Sequence, residues 1–502
     1  MNRTSIKINV FFILLFSIIC QFSQAQLITY KEPKGSVVNN DFTVRVRQKK
    51  DGWQPVFSYL AHVSNMVGAK SVAENTSFSY FDFSGQVDIS ITYNKGAIND
   101  VRIRPLSIGI KPKISGNTIT FSLHNPQNLS IEVNGDIFHN LQLFANPLET
   151  YKISPKDTNV IYYGPGIHQV GTLNVTSNKT IYIAGGAIVQ GQLLVNKVEN
   201  VRVLGHGILS QEGVQVITPD ALVSSSPDKG RQQRGEELNI NFSKNVEVNG
   251  IIVIPHKYSV FIGQSKGVKV SEVKSISSEG NADGLDVFCS TDVVIDKLFM
   301  RNSDDCIAIY GHRRNFYGNT KNITVSNSTL WADQAHPILI GTHGDPPHPD
   351  TLGNMKFNNI DILDQYENQI DYQGCIALNA GDANLINNIN FENIRIEDIR
   401  KGQLFNFRVM FNHKYNTAAG RGVENIYFKN ISYTGTHAIM SIIAGYDDTR
   451  SVRNITFENF TINGKLISDT MPDKPSWYKI GDMSNIFIGE HVDGLRFIET
   501  KK

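Results

Sequence analysis

Asn425-Ile-Tyr-Phe-Lys-Asn430 decides how this chain is read, because four other stretches repeat its design. Asn322-Ile-Thr-Val-Ser-Asn327, Asn354-Met-Lys-Phe-Asn-Asn359, Asn388-Ile-Asn-Phe-Glu-Asn393 and Asn454-Ile-Thr-Phe-Glu-Asn459 follow the same template. Each runs Asn, apolar, polar, Phe or Val, polar, Asn, and the starts lie 32, 34, 37 and 29 residues apart. An apolar residue follows the second Asn at Ile360, Ile394, Ile431 and Phe460, with Ser328 the exception. Period-two alternation marks strands, and repeats of this length mark a solenoid whose coils each add a strand to long parallel sheets. Asn suits coil corners because it tolerates left-handed geometry and satisfies local backbone groups. Thr180–Ala184, Val201–Leu204 and Val246–Val248 carry a looser form of the rhythm. The fold class predicted is therefore all-β, with a right-handed parallel β-helix over residues 149–502. A propeller would need three tight hairpins per repeat, and Asn-Gly or Asp-Gly pairs are too sparse for that.

Ahead of the repeat, residues 26–148 read as a β-sandwich domain. Val87–Tyr93 alternates apolar and polar, Thr118–Leu123 follows a Ser-Gly-Asn turn, and Asn134-Gly135 marks a two-residue hairpin between Ile131 and Ile137. Residues 1–25 read as a signal peptide: Arg3 and Lys7, an apolar run from Val10 to Cys20, then Ser23-Gln24-Ala25 as a small-x-small cleavage site. The expected location is thus secreted or periplasmic, with no later segment apolar and long enough to span a membrane. With 48 Lys+Arg against 47 Asp+Glu, the 502-residue chain carries a net charge of +1. That balance argues against a nucleic-acid-coating protein. The mature chain keeps Cys289, Cys306 and Cys375, in no CxxC pair, which leaves one disulfide or three thiols open. No metal-ligand spacing, phosphate loop or dinucleotide fingerprint appears, so neither metal nor cofactor is expected.

Between the repeat strands runs a second apolar series: Leu285–Phe288, Cys306–Tyr310, Pro337–Ile340, Cys375–Leu378 and Phe405–Phe407. Stacked as neighbouring strands about 4.8 Å apart, these would align the residues that precede them along one groove. The column then holds Asn281, Asp283, Asp286, Ser303, Asp304, Asp305 and His336, with Arg408 further along. An aspartate at a coil corner is ordinarily a turn residue, and a carboxylate cluster can hold Ca²⁺. Several carboxylates converging beside a histidine point instead to catalysis, because glycoside hydrolysis needs a protonated acid beside an ionised base. Tyr310 and Trp331 are candidates to stack on sugar rings, although core packing is the commoner fate of an aromatic here.

At these residues the sequence resembles the clan that joins polygalacturonases with dextranases and isopullulanase. Asn281-Ala-Asp283-Gly-Leu-Asp286 resembles the clan's Asn/Gln-Thr-Asp-Gly element, and Ser303-Asp304-Asp305-Cys306 its Asp-Asp element. His336-Pro-Ile-Leu-Ile-Gly341 falls where polygalacturonases carry Gly-His-Gly, with Ala335 and Pro337 replacing the glycines. Phe407-Arg408-Val-Met410 falls where they carry Arg-Ile-Lys, with Met410 in place of Lys. The layout is similar to the dextranase family, which sets a β-sandwich before its β-helix. Val101–Ile108, Ala184–Gly191 and Gly205–Ser210 resemble that family's stretches in the same order. The resemblance implies that Asp304 is the general acid and that Asp283 and Asp305 hold the attacking water, giving inversion. It also implies that His336 tunes the acid, and the residues expected to meet substrate are His336, Arg408, Asp286 and Tyr310.

The expected protein is a secreted inverting glycoside hydrolase of an α-linked polysaccharide, a dextran-like α-glucan first. A pectic or other acidic polysaccharide is the alternative, since Arg408 can meet an anionic sugar although the Lys partner is missing. A non-catalytic β-helix that binds polysaccharide, or a lyase, are rival readings. The partner expected is a polysaccharide substrate; linkage, endo or exo action and oligomeric state stay open.

Overall fold

A computed structural model describes residues 25–49, 51–68, 70–211 and 236–500. Apart from Ala25, the expected leader lies outside the described residues.

Residues 26–147 form two sheets packed face to face. One holds Phe42–Arg47, Gln54–Val56, Val87–Tyr93, Lys113–Ser115 and Thr118–Leu123, all antiparallel. The other holds Gln26–Thr29, Tyr59–Val67, Lys70–Ser84, Val101–Arg104, Gln127–Val133 and Asp136–Pro147. One pair in it is parallel: Lys70–Ser84 with Asp136–Pro147. Alternate residues of the strands meet between the sheets, with Val44, Ile89, Ile91 and Ile119 facing Phe81, Leu129, Ile131 and Leu143. The Asn134-Gly135 hairpin forms, with φ of 57° and 75°, as a turn whose twist matches its strands requires.

Among the described residues from Val160 to Ile498, a 30-stranded sheet winds as a right-handed parallel β-helix. The template positions stack in register. Ile323, Met355, Ile389, Ile426 and Ile455 form one inward column, and Val325, Phe357, Phe391, Phe428 and Phe457 another. The phenylalanine rings lie 4.7–4.8 Å apart from Phe357 to Phe457 and nearly parallel, which is the rung spacing imposed on a flat side chain. All ten template asparagines have φ between 52° and 59°. Their side chains bond along the column, as in Asn359 Nδ2 to Asn327 Oδ1 at 2.7 Å and Asn459 Nδ2 to Asn430 Oδ1 at 3.1 Å. Parallel pairing of every consecutive repeat excludes the propeller. The final coil departs from the rule: Phe460–Ile462 and Lys465–Ile467 pair antiparallel, and the short helix Ile480–Ser484 follows.

The sandwich docks on the flank of the helix through apolar and charged contacts. Tyr59, Phe78, Tyr80 and Phe144 pack on Ile208, Ile252, Ile276 and Phe299. Beside them Arg301 pairs with Asp333 at 3.1 Å and donates to Asn140 Oδ1 at 2.9 Å. Arg104 pairs with Glu132 at 3.1 Å and with Glu397 at 2.6 Å. Trp331 is fully buried in this seam, with the guanidiniums of Arg301 and Arg104 at 3.9 Å and 5.0 Å from its ring centroid. It therefore cannot stack on substrate: residues 329–332 have left the groove side and run beneath the sandwich. His206 joins the same seam, Nδ1 to Asp82 Oδ2 at 2.8 Å, with Glu149 and Tyr30 alongside. Among the described residues, no helix is long and apolar enough to cross a membrane.

Candidate active site

The second apolar series forms consecutive rungs of one face: Leu238–Asn241, Val260–Gly263, Leu285–Phe288, Ile307–Tyr310, Ile338–Gly341, Ile376–Ala380 and Phe405–Val409. Leu285, Ile307, Ile338 and Ile376 point into the core. The alternate positions Phe261, Phe288, Ala308, Tyr310, Leu339 and Ala377 form the opposite, groove-side face. Asp286 occupies this outer row, level with Phe261 and Ala308.

The acids sit where the chain enters these strands. Gly284 N donates to Asp305 O at 2.8 Å and Cys306 N to His336 O at 2.8 Å, so three entry loops lie side by side. Gly284 is needed there, because a Cβ on it would fall 2.4 Å from Cys306 O. Ser277 fastens two loops together: its hydroxyl donates to Ala282 O at 2.9 Å and accepts from Ser303 N at 3.0 Å. Ala335 takes a φ of 62°, the left-handed geometry that favours glycine and that this alanine adopts under the constraint of the stack.

Asp283, Asp286, Asp304 and Asp305 thus converge. Asp283 and Asp286 are buried, and burial first, then neighbouring carboxylates, hold both carboxyls well above the usual range. Both oxygens of Asp286 lack a hydrogen-bond partner among the described residues. Asp304 is the one partly exposed acid of the four, and burial followed by Asp305 pushes it up to about 7, against a lowering by His336. Asp305 accepts from His336 Nδ1 at 2.7 Å, from the His336 backbone N–H at 3.0 Å and from the Tyr310 hydroxyl at 3.3 Å.

His336 is fully buried, so it is not a substrate contact. Its Nε2 faces Tyr372 O at 3.0 Å and its Nδ1 faces Asp305, so both nitrogens meet acceptors. Burial pulls its pKa down, but Asp305 outweighs burial and holds it above the ordinary value. The imidazolium thereby orients Asp305 directly and reaches Asp304 only through its charge. Tyr310 is also a positioning residue: its ring is stacked on Phe288 with centroids 5.0 Å apart and is buried, leaving no open face for a sugar. Arg408 stands on the outer row beside Asn379, three rungs and roughly 14 Å beyond the Asp304 rung. Its Nη1 donates to Asp371 O at 3.3 Å, while its buried Nε has no partner among the described residues. Met410 is packed into the outer apolar cluster. Cys289, Cys306 and Cys375 are buried thiols, none paired.

Sequence reasoning missed Tyr372, whose carbonyl fixes His336, and the cations Lys257 and Arg313 that flank Asp283. The Gly311-His-Arg-Arg314 stretch carries the only signal for Arg313; Tyr372 lies in an irregular insertion and gives none. A separate cleft of about 1420 Å³ opens between sandwich and helix near Trp53, Lys111 and Arg395, and none of the acids lines it.

The sequence profile of glycosyl hydrolases family 28 matches residues 166–471, more than half of the chain. The chain belongs to glycosyl hydrolases family 28. All four acids, His336 and Arg408 fall inside the span that this family 28 match covers. The chain is 27% identical over 194 residues to the probable endopolygalacturonase D of Emericella nidulans, covering 38% of this chain and 34% of that one. It is 24% identical over 244 residues to a polygalacturonase of Chamaecyparis obtusa, covering 47% and 44%. It therefore spans a third to under half of the length of these curated relatives. Dex49A from Penicillium minioluteum is similar in fold, with a TM-score of 0.63, 15% identity and coverage of 94% of this chain and 96% of that one.

Proposed function

We propose that this family 28 protein hydrolyses an α-linked polysaccharide with inversion, using Asp304 as general acid. The observation that carries the reading is Asp304 itself: partly exposed at the groove, held up to about 7, and one residue from a carboxylate fixed by three donors. Protonated Asp304 gives its proton to the glycosidic oxygen as the bond breaks. Asp305 accepts the proton of a water that Asp283 helps to orient, and attack from the opposite face inverts the anomeric carbon. Asp286, expected from the sequence to meet substrate, is fully buried and instead supports the carboxyl cluster from beneath. After removal of a leader near Ala25 the protein would act outside the cytoplasmic membrane, a reading supported by the Met1–Ala25 pattern alone.

For the polymer, a pectic chain moves ahead of the dextran-like α-glucan expected first. The polygalacturonase names of the relatives and an Arg408 with a free donor beside Asn379 support it. Asp304→Asn is expected to cut reducing-sugar release at least 10³-fold, the scale of losing general acid catalysis together with its geometry, while the melting temperature holds. Digestion of polygalacturonate and dextran side by side, with proton NMR of the first-formed anomer, completes the test. Undiminished turnover by the variant would sink the assignment.

A further inference from the structure

Upstream of Asp283 the groove wall carries two cations with no ion-pair partner among the described residues. The Arg313 guanidinium lies 5.5 Å from the Tyr310 ring centroid, and the Lys257 ammonium lies 5.5 Å from that of Tyr258. Neither side chain is in an ion pair or a side-chain hydrogen bond with any described residue. The adjacent Arg314 behaves differently. It is neutralised by Glu236 at 2.7 Å and lies over Phe261 and Tyr258, 5.0 Å and 5.6 Å from their centroids. Of two successive arginines, one is fixed as structure and the other is left to the groove.

Asp286 and Asp283 both act on Arg313 through their charge, yet neither is in an ion pair with it among the described residues, and burial holds both carboxyls well above the usual range. The surplus shows on the neighbours. Lys257 is held below its ordinary value by burial and then by Arg314, and His343 well below its own by burial and then by Arg313. A buried or half-buried cation without a partner is costly, and the planar guanidinium fork matches a carboxylate with two parallel hydrogen bonds.

We propose that Arg313 and Lys257 form a binding position for the carboxylate of a uronic acid unit, on the Asp283 side of the acids. The position deepens the hydrolase reading and rests on it for turnover, not for binding. It also gives the site an anion-reading cation in place of the lysine that Met410 replaces, from a different loop and on the opposite side of the acids from Arg408.

Arg313→Gln and Lys257→Met are compared with the wild-type mature chain on polygalacturonate and on its methyl ester, which keeps the shape and removes the charge. Each variant is expected to lower the acid-to-ester ratio of kcat/KM at least tenfold, mainly through KM, with activity on the ester kept within threefold. Equal losses on both polymers, an unchanged ratio, or only a displaced pH profile overturns the proposal. Calorimetric binding of oligogalacturonate in an Asp304→Asn background separates the two ideas. Tenfold weaker binding on adding Arg313→Gln upholds the position even if the wild type never cleaves the polymer. Absence of binding, or binding indifferent to Arg313, overturns it even if hydrolysis is observed.

Discussion

Asp304 and Asp286 differ by one rung, and the difference sets opposite predictions for them. Asp304 reaches solvent and is held up to about 7, so the fraction able to donate a proton falls as pH rises through 7. The pH profile of kcat/KM should therefore decline on its alkaline side with a midpoint near pH 7, measured on a soluble oligosaccharide; a midpoint below 5 would contradict the role. Asp286 is fully buried with two unpaired oxygens. Its carboxyl lies well above the ordinary 3.8 in the folded state, so the pH-dependent part of its cost is absent below that value and grows as pH climbs from there through the raised one. Asp286→Asn is expected to stabilise the fold by roughly 1–3 kcal/mol at about pH 8 and by nothing near pH 4, read from urea unfolding at both pH values. Activity should fall in the same variant. The aspartates themselves were legible in sequence because strand spacing aligned them. The use made of His336 and Tyr310 was not: Asp305 and Tyr372 reach His336 from the rungs on either side, while the Tyr310 hydroxyl turns back to Asp305 and its ring stacks on Phe288 of the rung before.

At the scale of the element, a coil is held by what stacks above and below it. The Phe357, Phe391, Phe428 and Phe457 rings form an internal column, continued by Phe497 4.9 Å from Phe457. Phe428 touches neighbours on both sides and also meets Phe407, stacked at 5.3 Å. Phe428→Ala should cost about 3–5 kcal/mol, and Phe428→Leu markedly less, in chemical denaturation. This column was readable as a sequence repeat because each coil solves the same corner and core problem. Trp331 shows where the repeat stops informing. Its position matches strand alternation, yet a docked sandwich with Arg104 and Arg301 decides that it faces away from substrate.

Across the whole molecule, the sandwich is tied to the helix by buried charges as well as by aromatic packing. Arg301, fully buried, joins Asp333 and Arg400 on the helix to Asn140 and Ile137 O of the sandwich. It also directly precedes Asn302, whose amide bonds to Ser275 and Ser277 at 2.9 Å and 3.1 Å under the acid loops. Removing one partner from such a network leaves the others uncompensated. Arg301→Met is expected to destabilise by about 3–5 kcal/mol and to lower kcat before the fold is lost. Differential scanning calorimetry should show one transition for both parts in the wild type. Two well-separated transitions would mean that the seam contributes little.

The antiparallel return of Phe460–Ile462 against Lys465–Ile467, with the Ile480–Ser484 helix behind it, has a meaning beyond chain termination. A column of identical rungs is a template on which another polypeptide could continue to grow, as strands do in amyloid. After the hairpin and helix the chain returns to the stack, with Ile486–Ile488, Val492–Asp493 and Arg496–Ile498 parallel to the coil before them. Asp469, just past the hairpin, donates its backbone N–H to Phe497 O at 2.8 Å, so the folded-back segment occupies a backbone group of this last rung to which a second molecule would otherwise have to pair.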